Sequence, residues 1–160
     1  MNQKIKIERV TDENFDVFLS LVKQLAIYEK NNPPNEQGRA RLRRDALSKK
    51  PLFEAYLGKI DGNAIAYMIL YMTYSSYLAL PTLYLEDLFV VEEWRKKGIG
   101  HYMLEFCVQQ AKKRGCGRME WCVFDWNKSA IEFYEKNGAT CLNKTYYRLD
   151  KNQIERLLKS

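Results

Sequence analysis

The chain is short of the residues that two common chemistries need. It has one histidine, His101, and four cysteines, at positions 107, 116, 122 and 141, with no Cys-x-x-Cys. Zinc sites use closer ligand pairs, and secreted disulfide frameworks belong to shorter, loop-rich chains, so no metal is expected. Cys107 on an apolar helix face and Cys122 in a strand read as core filling. A Ser-His-Asp triad would have only His101 to draw on. Its place just after a glycine turn suits a solvated helix residue or a phosphate neighbour better. No run of eighteen apolar residues occurs, and the opening MNQKIKIERV alternates like a strand rather than a signal sequence, so a cytoplasmic protein is expected. Internal repeats, low-complexity tracts and linkers are also missing.

What is present fits one globular domain. The 160 residues, 46% hydrophobic, are enough for a core without staples, and residues 1–160 are expected to form a single domain. Lys plus Arg exceed Asp plus Glu by 26 to 20, a net +6 that favours anionic ligands, whether coenzyme phosphates or nucleic acid.

Residues 4–10 read as a first strand, with Ile5, Ile7 and Val10 as its apolar set. Thr11 or Asp12 can cap a helix to about Lys30, in which Phe15, Phe18, Val22 and Leu25 keep helical spacing, and Asn31-Asn32-Pro33-Pro34 ends it. A second helix over Glu36–Lys49 carries Arg39, Arg41, Arg43 and Arg44, a run that reads as a solvated face. Phe53–Ile60 and Ala64–Tyr74 flank Asp61-Gly62-Asn63 as a hairpin, and Ser75 to Thr82 reads as a connecting loop. Arg118–Phe124 is a further strand. Asn127 or Ser129 can cap a short helix, Ala130–Asn137, closed by Gly138. A strand or hairpin over Thr140–Leu149 and an amphipathic helix from Lys151 follow. The order β-α-α-β-β-β-α-β-α-β predicts an α/β fold, a mixed sheet with helices on its faces.

The most informative stretch is Leu83–Gly115. LYLEDLFVV reads as a buried strand interrupted at its middle by Glu86 and Asp87. Adjacent strand residues face opposite ways, so only one of the two should enter a given pocket unless a bulge intervenes. From Gly100 the period becomes helical, with Met103, Leu104, Cys107, Val108 and Ala111 on one face and Gly115 as the stop. Between strand and helix stand Arg95, Lys96, Lys97, Gly98, Ile99 and Gly100. Two glycines that let backbone amides approach a ligand, three cations and a helix N-terminus make a pyrophosphate seat. The Lys-Ser/Thr ending of a nucleotide P-loop and the third glycine of a dinucleotide fingerprint are missing, so the phosphates belong to something other than ATP or NAD.

Arg-x-x-Gly-x-Gly after such a strand resembles the acyl-CoA pyrophosphate loop of the GNAT superfamily of N-acetyltransferases. YLEDLFVVEEWRKKGIG, FDWNKSAIEFYEKNGA and LAIYE resemble in particular the spermidine/spermine and thialysine N-acetyltransferases, most strongly over Leu83–Ala139. The resemblance implies a GNAT fold, acetyl-CoA as co-substrate, a homodimer, and a small cationic amine as the other substrate. It implies catalytic roles for Glu86 and Tyr134. Coenzyme contacts would come from Leu88, Phe89, Val90, the segment Arg95 to His101, Asn127, Ala130 and Tyr134. Amine contacts would come from Tyr28, Glu29, Glu86 and Asp87.

The chemistry constrains those roles. A primary amine near pKa ~10.4 is only about 10⁻³ neutral at pH 7, and handing its proton to a carboxylate near ~4.3 is uphill by roughly 8 kcal/mol. A carboxylate can therefore attract and orient the ammonium while water carries the proton off. A phenol near ~10 is protonated at neutral pH and can serve a departing thiolate. No activated cysteine argues for an acyl-enzyme, so direct attack in a ternary complex is expected. The loop Tyr74-Ser75-Ser76-Tyr77 lacks the acidic residue of the polyamine enzymes, and Tyr146-Tyr147 stand where those enzymes have tryptophan. A polyamine, a diamine, a lysine analogue and a protein amine all remain open as acceptors. A CoA-binding domain without catalysis, or a nucleic-acid-binding domain using Arg39–Arg44, are the competing readings.

Overall fold

A computed structural model describes residues 5–159, so Lys4 of the expected first strand lies outside the described residues. The chain divides after Cys122 into two compact units.

The first unit is a five-stranded sheet with helices on both faces. Its strands are β1 (Lys6–Arg9), β2 (Glu54–Ile60), β3 (Asn63–Ser75), β4 (Leu80–Val90) and β5 (Arg118–Glu120), adjacent in that order. All neighbours pair antiparallel except β4 and β5, which run parallel. The helices are α1 (Phe15–Tyr28), α2 (Glu36–Leu47) and α3 (Ile99–Lys113).

Strand alternation sorts the core. Ala55, Leu57, Tyr67, Ile69 and Phe89 face Phe15, Phe18 and Leu21 of α1 and Ala46 of α2. Tyr56, Gly58 and Met68 face α3. The Tyr56 and Phe106 rings meet edge to face at 4.9 Å, and Cys107 Sγ lies 3.3 Å from Met68 Sδ. Gly58 makes this packing possible, because a Cβ there would sit 2.8 Å from Met103 Sδ. At the β2–α3 margin Glu54 accepts from both Arg114 Nη atoms at 2.8 Å and pairs with Arg9 at 2.6 Å. Burial would raise the Glu54 carboxyl, but Arg114, Tyr56 and Arg9 hold it below the usual range.

Several expectations shift. The residue before α1 is Asn14, and Thr11 and Asp12 do not cap it; Asn14 Oδ1 instead accepts from Thr11 N at 2.8 Å, folding the entry turn back on itself. The expected loop from Ser75 to Thr82 shrinks to a tight turn, because β3 and β4 stay paired as far as Ser75 and Leu80. Val108, expected in the core, is 53% exposed, and Ile99 takes its place on the buried face of α3. β5 stops at Glu120, so Cys122 is exposed rather than core.

The second unit holds α4 (Lys128–Lys136) and α5 (Lys151–Leu157). Asn127 caps α4 through Ala130 N, and a full capping box between Asp150 and Gln153 starts α5. Thr140–Leu149 is not a strand. No ladder partner lies along it among the described residues, Lys144 N bonds back to Leu142 O at 3.0 Å, and Tyr146 and Tyr147 are exposed. Alternation can propose a strand, but only a neighbouring edge makes one.

Candidate active site

The middle of β4 carries a β-bulge. Ile69 pairs with Asp87 and Leu70 with Leu85, which leaves Glu86 as the extra residue. The bulge turns two adjacent carboxylates toward the same face of β3. Asp87 Oδ2 accepts from Tyr67 Oη at 3.0 Å, and Glu86 Oε2 accepts from Tyr71 Oη at 3.1 Å. Tyr67 and Tyr71 are four residues apart on one strand, hence on one face. These tyrosines were not singled out from sequence. Their signal was the alternation of β3, but without the pairing register it does not say which carboxylate each one meets.

Glu29 joins this pair from the end of α1. Lys30 takes a left-handed conformation (φ 58), Lys30 N bonds Ile27 O and Asn31 N bonds Ala26 O, a Schellman closure built without glycine. Burial raises the Glu29 carboxyl, Asn31 opposes that, and the nearby charge of Glu86 adds to it. Asp87 is pushed up to about 6, chiefly by burial, with Glu86 and Glu29 adding to the rise and the Tyr67 hydroxyl opposing it. The three carboxylates thus feel one another's charge. Among the described residues no Lys, Arg or His lies within ion-pair distance of any of them, in contrast to Glu54. The ion pairing that a carboxylate in so basic a chain invites is not what these three do.

The glycine turn leads into α3. Gly98 is the residue before the helix, left-handed at φ 82, and has nothing within 4 Å of where a Cβ would be. A first helical turn leaves N–H groups without partners inside the helix, here including those of Ile99 and Gly100, and no side chain caps them. Lys96 and Lys97 are exposed, with Lys97 Nζ 4.8 Å from the Trp94 ring centroid, and His101 is exposed on the first turn of α3. Arg95 behaves differently. It lies over the Tyr28 ring at 4.6 Å and the Phe89 ring at 5.6 Å, and Nε donates to Val90 O at 2.9 Å. It thereby ties the turn to the end of α1.

Between these two features runs a free stretch of strand edge. β5 pairs only with Thr82, Leu83 and Tyr84, so from Leu85 onward, through Leu88, Phe89 and Val90, β4 has no strand on that side among the described residues. Glu86, Asp87, Glu29, Tyr28 and the glycine turn all belong to the first unit. In the second, Asn127 occupies its side-chain oxygen in capping α4, Ala130 donates to it, and Tyr134 is half-buried on α4, its ring 5.0 Å from that of Phe133.

The arginine face of α2 is largely engaged within the protein. Arg43 bonds Asp12 and lies over Phe15, Arg44 bonds Asp45, and Arg39 donates to Pro34 O. Among the described residues no group of His, Cys, Asp and Glu side chains could hold a metal ion, and no helix is long and apolar enough to cross a membrane.

Known proteins resemble this chain in sequence and in fold. The acetyltransferase (GNAT) family profile matches residues 21–139. L-ornithine N5-acetyltransferase NATA1 of Arabidopsis thaliana is 45% identical over 82 residues, 51% of this chain but only 36% of that protein's length. Thialysine N-epsilon-acetyltransferase of Sus scrofa is 30% identical over 79% of this chain and 78% of its own. An integron cassette protein of V. cholerae, 24% identical, superposes with a TM-score of 0.82 over 98% of each chain. Strand, glycine turn, helix and family profile coincide over the same residues, and the chain belongs to the acetyltransferase (GNAT) family of N-acetyltransferase enzymes.

Proposed function

We propose that this chain transfers the acetyl group of acetyl-CoA to a primary amine of a small cationic substrate, a polyamine, diamine or lysine analogue, by direct attack in a ternary complex. The observation that carries the substrate class is the set of three carboxylates, Glu29, Glu86 and Asp87, that feel one another's charge and, among the described residues, have no Lys, Arg or His within ion-pair distance. An ammonium ion is the natural partner for such a group. The ornithine and thialysine enzymes, whose substrates carry a side-chain amine, agree with this choice.

GNAT enzymes use acetyl-CoA, and the residues of the turn fit it: open space at Gly98, uncapped amides at the start of α3, and the charges of Lys96 and Lys97 suit a diphosphate. When bound, acetyl-CoA supplies an activated acetyl thioester. The free edge at Leu88, Phe89 and Val90 offers backbone groups to its pantetheine arm, and an N–H there can steady the oxyanion. Arg95 holds the turn against Tyr28, and His101, Asn127 and Ala130 stand at positions that line the coenzyme in the family resembled.

The carboxylates draw in the ammonium, and Glu86 orients it. Asp87, at about 6, narrows the gap to an amine near ~10.4 to roughly 4 units, about 6 kcal/mol, so it eases proton removal without being a strong base. Water completes the transfer. Tyr134, in FYEKNGA, is assigned the protonation of the departing thiolate. The reading takes residues 1–160 as one domain that works as a cytoplasmic homodimer on small molecules, without nucleic acid or membrane.

A thiol-release assay with acetyl-CoA over diamines, polyamines, lysine analogues and peptides tests this. Turnover is expected with the small cationic amines and a loss of at least about tenfold in Tyr134→Phe. Coenzyme binding by calorimetry with no amine consumed would overturn the catalytic reading.

A further inference from the structure

A line of contacts leads away from Glu86 across the sheet. Tyr71 and Tyr84 are register partners on β3 and β4, their rings stacked with centroids 5.0 Å apart at 30°. Tyr84 Oη donates to Cys122 Sγ at 3.4 Å, and Tyr71 Oη donates to Glu86 Oε2 at 3.1 Å. A ring held flat against another keeps its hydroxyl in one place, because Tyr has only two side-chain torsions to fix. Glu86 is the opposite case. It is exposed, sits on a bulge, has three torsions and is repelled by Asp87 and Glu29, and among the described residues no cation anchors it. Left to itself it would spread over many rotamers.

We propose that Tyr71, clamped by its stack on Tyr84, is a positioning residue that aims the Glu86 carboxylate at the substrate ammonium. This rests on the reading above that Glu86 receives the amine. Glu29 and Asp87 still attract the cation when Tyr71 is altered, so aim is lost more than affinity. The loss belongs in kcat rather than KM.

The test is a double-mutant cycle in thiol-release kinetics with a diamine and saturating acetyl-CoA. Tyr71→Phe keeps the ring and its stack, and an unchanged melting temperature verifies that the fold is intact. A hydrogen bond to a charged group predicts a fall of about 10- to 100-fold in kcat, with KM moving less than about threefold. In the Glu86→Gln background the same change should cost less than about twofold, since there is no longer a carboxylate to aim. Tyr84→Leu, which removes the clamping face, should reproduce part of the Tyr71→Phe loss. Wild-type kcat in Tyr71→Phe, or an equal loss with and without Glu86, overturns the inference while leaving the acetyltransferase reading intact. Full turnover in Glu86→Gln overturns the role given to Glu86, and the inference with it.

Discussion

Asp87 is a carboxylate that the fold makes costly to ionise. Its native pKa, about 6 against an ordinary 3.8, means the folded state holds the proton more tightly than the unfolded chain. Its contribution to stability is present below the unfolded value and is lost as pH rises through about 6. Asp87→Asn should therefore be more stable than wild type at pH 8, by on the order of 3 kcal/mol, with most of the difference gone near pH 4. Melting curves across that range check the sign. Activity should move the other way. On the proposed reading, in which Asp87 eases proton removal from the ammonium, an acid limb of kcat/KM near pH 6 should disappear in Asp87→Asn, together with much of the rate.

The elements that place these residues were legible to different degrees. The turn and helix around Gly98 were readable because glycine, cation and helical period coincide within a dozen residues. Helix ends at Gly115 and Gly138 were equally plain, both left-handed, at φ 65 and 85. The end of α1 near Lys30 was readable from Asn31-Asn32-Pro33-Pro34, but the left-handed closure at Lys30 was not, because Lys30 fills a position that usually goes to glycine. The bulge at Glu86 was hidden too, since an extra residue is a property of the pairing between β3 and β4 and not of either strand alone. Two glycines separate stability from binding at this scale. Gly58→Val, whose Cβ would meet Met103 Sδ at 2.8 Å, should destabilise by about 1–3 kcal/mol, read from denaturant unfolding, with coenzyme affinity preserved in the folded fraction. Gly98→Val meets no atom but needs φ 82, so it should cost only about 1–2 kcal/mol in unfolding while calorimetry shows a clear loss of CoA affinity.

At the scale of the molecule, total charge and local charge point in opposite directions. The chain carries +6, which by itself would repel a polyamine, yet the face formed by Glu29, Glu86 and Asp87 is acidic. If the local field governs capture, KM for a diamine should rise between about 0.05 and 0.5 M salt, as screening weakens the attraction; a KM that falls over that range would mean the net charge dominates. Composition gave the sign of the whole and left this reversal unseen, because it depends on which few side chains the bulge and the end of α1 bring together. The most direct measurement compares thiol release from acetyl-CoA with 1,4-diaminobutane and with n-butylamine, in wild type and in a Glu29→Gln, Glu86→Gln, Asp87→Asn variant. The account predicts that wild type prefers the diamine by at least about tenfold in kcat/KM and that the variant loses most of that preference. Equal use of both amines by wild type, or a preference that survives loss of all three carboxylates, would contradict it.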